Sequence, residues 1–350
     1  MKRRKNKKNI IILITIIIFL VGGGIILLRK YKDVFEPNVV LGRDEKVSVQ
    51  IPTSANFKEI KKILFSKEIL KDTSSFIFTA EKMNYPNQVH PGNYIITGGM
   101  SNREVITMLR AGLQSPVKVT FTSVRDLRKI AGKVGQQIEA DSASIMNLLL
   151  DEDFIDSLGF SRYTIPALFI PNTYEFYWNS GAEEFLNRMK AEYGRFWNES
   201  RKSRASEIGL TPLEVSILAS IVKEETSKND ELAKIAGVYL NRLDKGMLLQ
   251  ADPTVKFANN DFTLGRVLNK HLAVNSPYNT YKYTGLPPGP IVVPSIAAIE
   301  AVLKNEDHPY FYFCARDDFS GYHNFAKTLS QHLQNARSYQ NALSRRKILK

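Results

Sequence analysis

Between Thr211 and Thr226 the sequence places a carboxylate among apolar residues, a combination that can do acid–base chemistry. Thr211 can act as a helix N-cap, Pro212 fits the first turn, and Glu214 completes a capping box. Leu213, Ile217, Leu218, Ile221 and Val222 then recur at helical spacing. At about 100° per residue they form one broad stripe. Glu225 falls near the middle of that stripe, and Glu224 about a quarter-turn away at its edge. An ionised carboxylate aimed into apolar surroundings is costly, so burial raises its pKa. A glutamate that stays protonated near neutral pH is what a general acid requires. The alternative is a helix that frays before Glu225 and leaves it solvated.

The rest of the chemical inventory is narrow. The five histidines are scattered without ligand spacing, and there is no nucleophile elbow or glycine-rich phosphate loop. The single cysteine, Cys314, excludes an internal disulfide and a cysteine-based metal site. Within the apolar run Tyr310 to Ala315 it reads as a small core residue. No metal and no cofactor is expected, so carboxylates, amides and hydroxyls must carry the chemistry. Tyr174, Phe176, Tyr177 and Trp178 cluster around Asn172 and Glu175, an interleaving that suits sugar rings and equally an ordinary core edge. Gln250, Asp252 and Thr254 sit on an edge or loop, since Pro253 argues against a central strand. Asn279-Thr280-Tyr281 and the rigid Gly285 to Pro290 segment add turns that line a cleft or simply connect elements.

These residues need elements to position them, and the pattern predicts α+β. Val47 to Ile51 alternates like a strand, Phe57 to Leu64 and Thr73 to Met83 read as helices, and Val89 to Ile96 reads as a strand containing the His90 to Tyr94 turn. Ser101 and Glu104 make a capping box for a further helix, closing a small unit near Leu113. That unit suits a glycan-binding module or a mere spacer. A strand is expected at Val117 to Thr122. Ser123 and Asp126 cap the next helix, with Leu127, Ile130, Ala131, Val134 and Ile138 on one face. Helices are expected at Glu183 to Trp197, Asp230 to Leu243 and Gln331 to Arg345, a polar linker at Asn198 to Ser206, and a buried strand at Tyr310 to Ala315.

Ile10 to Leu28 is apolar apart from Thr15 and Gly22-Gly23-Gly24, long enough to cross a bilayer once. Six basic residues precede it, and only Arg29, Lys30 and Lys32 closely follow. That asymmetry favours a cytoplasmic N-terminus with the body outside. A cleaved signal peptide is the alternative, but Arg29-Lys30-Tyr31-Lys32 offers no small-residue cleavage site. The net charge of +13 is confined to the ends, with Arg345, Arg346, Lys347 and Lys350 completing it, so residues 33 to 343 are formally neutral. This distribution suits anionic lipid headgroups and excludes the basic body of a nucleic-acid binder.

Leu218 to Thr226, Asn241-Arg242-Leu243, Gly246-Met247, Gln250, Asp252-Pro253-Thr254, Asn279-Thr280-Tyr281 and Gly285 to Gly289 occur in an order that resembles the MltG (YceG-like) family of membrane-anchored endolytic murein transglycosylases. The Gly92-Asn93-Tyr94 turn matches the family's LysM-like module. The resemblance implies a cytoplasmic segment at 1–9, a span at 10–28, a linker at 29–45, a LysM-like module at 46–115, a catalytic domain at 116–345 and a basic tail at 346–350. It implies that Glu225, directly before Thr226, is catalytic. The substrate would be peptidoglycan glycan strands, with Gln250, Asp252, Asn279, Tyr281 and Glu175 as candidates for holding the sugar. Contact with the glycan-synthesis machinery is a further implication. Two departures from the family pattern are the order Lys223-Glu224 and Asn172 in Pro171-Asn172-Thr173-Tyr174, which leaves Asn172 no acid–base role. A hydrolase using Asp252 or Glu175 as second carboxylate, and a non-catalytic glycan-binding scaffold, are the alternatives.

Overall fold

A computed structural model describes residues 2–346. Lys347 and Lys350 of the basic tail lie outside the described residues, as do the side chains of Lys2, Arg3, Arg4, Lys5 and Lys8. The chain divides into two compact units. The first runs to Lys118 and takes in Gln137–Glu139 and Glu175–Ser180; the second comprises Val119–Gln136, Ala140–Tyr174 and the chain from Gly181 onward.

The first unit begins with α1 (Lys2–Phe35), which continues through the three glycines. Within its Asn9–Phe35 portion an 18-residue window has a mean hydropathy of 3.2 and is unburied, as a helix meant for lipid would be. A linker was expected from residue 29, yet the helix runs unbroken to Phe35. Its last turns are held by the rest of the unit: Asn102 Nδ2 donates to Asp33 O at 2.7 Å, and Lys30 Nζ lies 3.8 Å from the centre of the Phe78 ring. Then come β1 (Lys46–Ile51), α2 (Phe57–Ser66), α3 (Thr73–Lys82), β2 (Gly92–Thr97) and α4 (Asn102–Arg110). β1 and β2 pair antiparallel, with Val49 opposite Tyr94 and Ile51 opposite Gly92. β2 starts at Gly92, later than Val89, because the His90-Pro91 segment precedes the ladder rather than joining it. Both expected capping boxes form, at Ser101–Glu104 here and at Thr211–Glu214 in the second unit.

The second unit is mostly helical. β3 (Val117–Thr120) and β4 (Thr173–Phe176), each divided between the two units, form one two-stranded sheet, and β5 (Tyr312–Ala315) and β6 (His323–Ala326), wholly in the second unit, form another, antiparallel one. The helices are α5 (Leu127–Val134), α6 (Ser142–Leu150), α7 (Glu152–Ser157), α8 (Ala182–Phe196), α9 (Glu199–Glu207), α10 (Pro212–Glu225), α11 (Leu232–Asp244), α12 (Asp252–Ala258), α13 (Asn269–Leu272), α14 (Ile296–Leu303) and α15 (Leu329–Arg345).

Four expectations change. Asp126 alone caps α5, since the Ser123 hydroxyl donates to Val293 O, and Ile138 lies beyond the helix end. The polar stretch after Asn198 is α9, capped by the Asn198 side chain and tied to α14 by the Arg201–Glu300 ion pair. Pro253 sits in the first turn of α12, where a missing N–H costs nothing, rather than in an edge strand. Finally, β5 is half-buried, not buried.

α10 is the centre of the second core, packed against α9, α11, α12 and α14. It is not a one-faced helix: every residue from Val215 to Val222 is buried. Its two serines can go inside because their hydroxyls are satisfied locally. Ser216 Oγ donates to Pro212 O at 3.0 Å; Ser220 Oγ donates to Ile217 O at 2.7 Å and accepts from Ile291 N–H at 3.0 Å.

Candidate active site

α10 ends at Glu225, and Thr226 turns at once into extended backbone (φ −144°, ψ 148°), so the helix does not fray early. The Glu225 side chain leaves the helix at its negative pole and borders a cavity of about 380 Å³. Tyr239 from α11 also lines this cavity and donates its hydroxyl hydrogen to Glu225 Oε1 at 2.5 Å. Burial pushes the Glu225 carboxyl up to about 7, opposed by the Tyr239 hydrogen bond and reinforced by the negative charge of Asp252. Near neutral pH, Glu225 therefore exists as both acid and carboxylate, the condition for giving and then accepting a proton.

The facing residues come from two segments held by buried hydroxyls. Gln250 borders the cavity in a left-handed backbone conformation (φ 51°), and its N–H donates to Thr280 O at 3.0 Å. A non-glycine residue there stores strain that the surroundings must hold. The buried Thr254 and Thr280 hydroxyls, 2.8 Å apart, supply that hold, and Thr280 Oγ1 also accepts from Ala251 N–H. Asp252 and Tyr281 both line the cavity, with the Tyr281 hydroxyl donating to Asp252 Oδ1 at 2.6 Å. Burial first, then Asp252, pushes the Tyr281 hydroxyl far up.

Of the residues expected at the sugar, Gln250, Asp252 and Tyr281 thus meet at one cavity with Glu225. Asn279 does not. It is fully buried, its amide donates to Leu272 O and Val274 O, and its Oδ1 accepts from Tyr281 N–H. It shapes the turn that presents Tyr281, leaving no free group for substrate. Glu175 is exposed on β4 and is not among the lining residues, while Tyr174 and Phe176 alternate inward as core. Glu224 is ion-paired with Arg125, whose guanidinium also lies over the Phe262 ring.

Tyr239, Arg242, Tyr312, His323 and His332 also line the cavity and were not anticipated there. Arg242 is buried, and its guanidinium donates to Phe311 O at 2.6 Å and Leu249 O at 2.7 Å, stitching α11 to the Gln250 segment and to the lead-in of β5. The neighbouring Asn241 amide donates to His308 O and Tyr310 O, so the Asn241-Arg242 pair anchors the chain entering that hairpin. Cys314 also lines the cavity, with its thiol pushed up by burial and therefore a poor nucleophile at neutral pH.

A glutamate whose carboxyl is held up to about 7 lines a polar, tyrosine-bearing cleft, a set of groups able to give and take a proton, and the same chain carries an N-terminal helix compatible with a membrane anchor. The chain belongs to the YceG-like family, which it matches over residues 49–338. It is 29% identical over 318 residues to the endolytic murein transglycosylase of Bacillus subtilis (strain 168), covering 86% of each chain. It is 28% identical to the protein of the same description from Streptococcus pneumoniae (strain D39), with 85% of this chain and 59% of that one covered, so it spans little over half of the pneumococcal protein. A crystal structure of a YceG-like protein from Listeria monocytogenes superposes with a TM-score of 0.55 at 28% identity, over 83% of this chain and 98% of that one.

Proposed function

We infer that this chain is a membrane-anchored murein transglycosylase that cuts within glycan strands at the β-1,4 bond between MurNAc and GlcNAc and leaves a 1,6-anhydro-MurNAc end. The observation that carries this reading is the Glu225 carboxyl, held at about 7 at the cavity wall. Protonated Glu225 gives its hydrogen to the glycosidic oxygen, the C1–O4 bond breaks, and positive charge develops at the anomeric carbon. The resulting Glu225 carboxylate then takes the C6 hydroxyl proton as O6 bonds to C1, which restores the acid. Water is not consumed, and one carboxylate serves both steps. Gln250, Asp252 and Tyr281 hold the sugar in line for that closure. The close resemblance to proteins described as endolytic murein transglycosylases supports the substrate class.

A water-using muramidase is the second reading, favoured by the presence of Asp252 in the same cavity as a second carboxylate. Mass spectrometry of purified peptidoglycan treated with the full chain in detergent separates the two. Anhydro-MurNAc ends, one water lighter than reducing ends and absent with Glu225→Gln, are the expected result. Reducing ends would assign Asp252 the second role and overturn the transglycosylase.

A further inference from the structure

The wall of the cavity formed by β5 and β6 carries an imidazole that the Glu225 chemistry leaves unused. His323, at the start of β6, lines the same cavity as Glu225 and is held by Glu231, the buried residue just before α11. One Glu231 oxygen accepts from the His323 backbone N–H at 2.9 Å, and the other contacts ring Nδ1 at 2.9 Å. A carboxylate has no hydrogen to give, so Nδ1 carries the proton, and in the neutral ring Nε2 is left as an acceptor. Nε2 has no hydrogen-bond partner among the described residues. The ring is further fixed by the Phe313 side chain, which meets it edge-to-face at 5.3 Å and meets the Tyr239 ring in the same way at 5.8 Å. An imidazole that lines a cavity, with one nitrogen tied by a buried carboxylate and the other without a partner among the described residues, is oriented for a ligand. On α15, His332 also lines the cavity, stacks on Tyr312 of β5 and keeps a buried Nδ1 with no hydrogen-bond partner among the described residues.

We propose that His323, oriented by Glu231, is a substrate-contacting residue whose Nε2 makes a hydrogen bond to a hydroxyl of the glycan held against Glu225. This rests on the glycan reading above. The β5–β6 hairpin then contributes to holding the sugar in the cavity that Gln250, Asp252 and Tyr281 also line.

The test uses the full chain in detergent carrying Glu225→Gln, with fluorescein-labelled, uncross-linked peptidoglycan strands as probe. Asparagine places its amide where Nδ1 was and keeps the Glu231 contact, whereas glutamine reaches the Nε2 position. His323→Asn should bind the strands about five-fold more weakly at an unchanged melting temperature, the loss of one neutral hydrogen bond. His323→Gln should stay within about two-fold of the parent. In the Glu225 background the same pair should show lost and rescued fragment release. A purely structural histidine gives the reverse order, asparagine tolerated and glutamine not, and that result overturns the proposal, as does equal loss in both. If the Glu225 protein releases no fragments while the strands still bind, the transglycosylase reading fails and the His323 comparison still stands. If the Glu225→Gln parent binds no strands, the glycan reading and this proposal fall together.

Discussion

Glu225 receives opposing influences from two neighbours, and their signs make its role testable. Tyr239 donates a hydrogen bond that favours the anion, while the charge of Asp252 disfavours it. A general acid must be protonated, so turnover should be lost as pH rises through about 7. Tyr239→Phe should move that alkaline limb upward and Asp252→Asn should move it downward, read from kcat/KM against pH on labelled strands. Two shifts in one direction would mean that the limb belongs to another group. The same carboxyl sets a stability signature. Its folded value lies above the ordinary 4.5, so the unfolded chain releases this proton first, and stability falls as pH rises from about 4.5 to about 7. Glu225→Gln removes that loss. It should melt higher than the parent at pH 8, by up to about 3 kcal/mol in stability, and the same as the parent at pH 4. Equal melting at both pH values would place the carboxyl in water.

Helix α10 is a buried helix that carries the Glu225 carboxyl to a cavity wall. Its capping box works at the opposite end, 14 residues from Glu225 to Thr211. Thr211→Ala should therefore cost about 1 kcal/mol and lower the melting temperature by about 2–4 °C without moving the pH limb, checked by calorimetry and the same kinetics. A shifted limb would show that the cap sets the position of Glu225. Helix α10 was legible because its signals are local: cap, proline, capping glutamate and apolar spacing lie within 15 residues. Its burial on every side was not, because Ser216 and Ser220 look polar until their hydroxyls find backbone partners. Helix α9 was missed because its only buried residue is Ala205 and its support, the Arg201–Glu300 pair, spans 99 positions. The site divides in the same way. Glu225 ends a helix with local signals, and Gln250, Asp252 and Tyr281 stand in turn-rich motifs, whereas Tyr239 looks like one more apolar-face residue of α11 and His323 is joined to Glu231 across 92 positions. Asn279 stood in such a motif too, and there the side chain builds the turn instead of touching what the turn presents.

For the molecule as a whole, the proposed chemistry requires the second unit to lie on the side of the membrane that holds glycan strands. The Asn9–Phe35 helix has 27 residues, about 40 Å at 1.5 Å each, enough to cross a hydrocarbon core of about 30 Å. Its end is not a loose tether. Asn102 ties Asp33 O to α4, and Asn38 joins Asn102 and Asp72 in the same buried network, so the helix and the first unit are continuous. The basic residues are weighted to the N-terminal side, six before the apolar run against three just after, which favours a cytoplasmic N-terminus. Protease added to intact, wall-stripped cells should digest the chain beyond Phe35 and leave an epitope placed before Lys2 untouched until the cells are lysed. Exchanging the six N-terminal basic residues for neutral ones and adding lysines after Lys32 should weaken or reverse that pattern, because the charge difference, not the apolar sequence, sets the orientation. If the body is instead protected in intact cells, the Glu225 cleft faces the cytoplasm, away from assembled glycan strands, and the transglycosylase reading is lost along with the orientation.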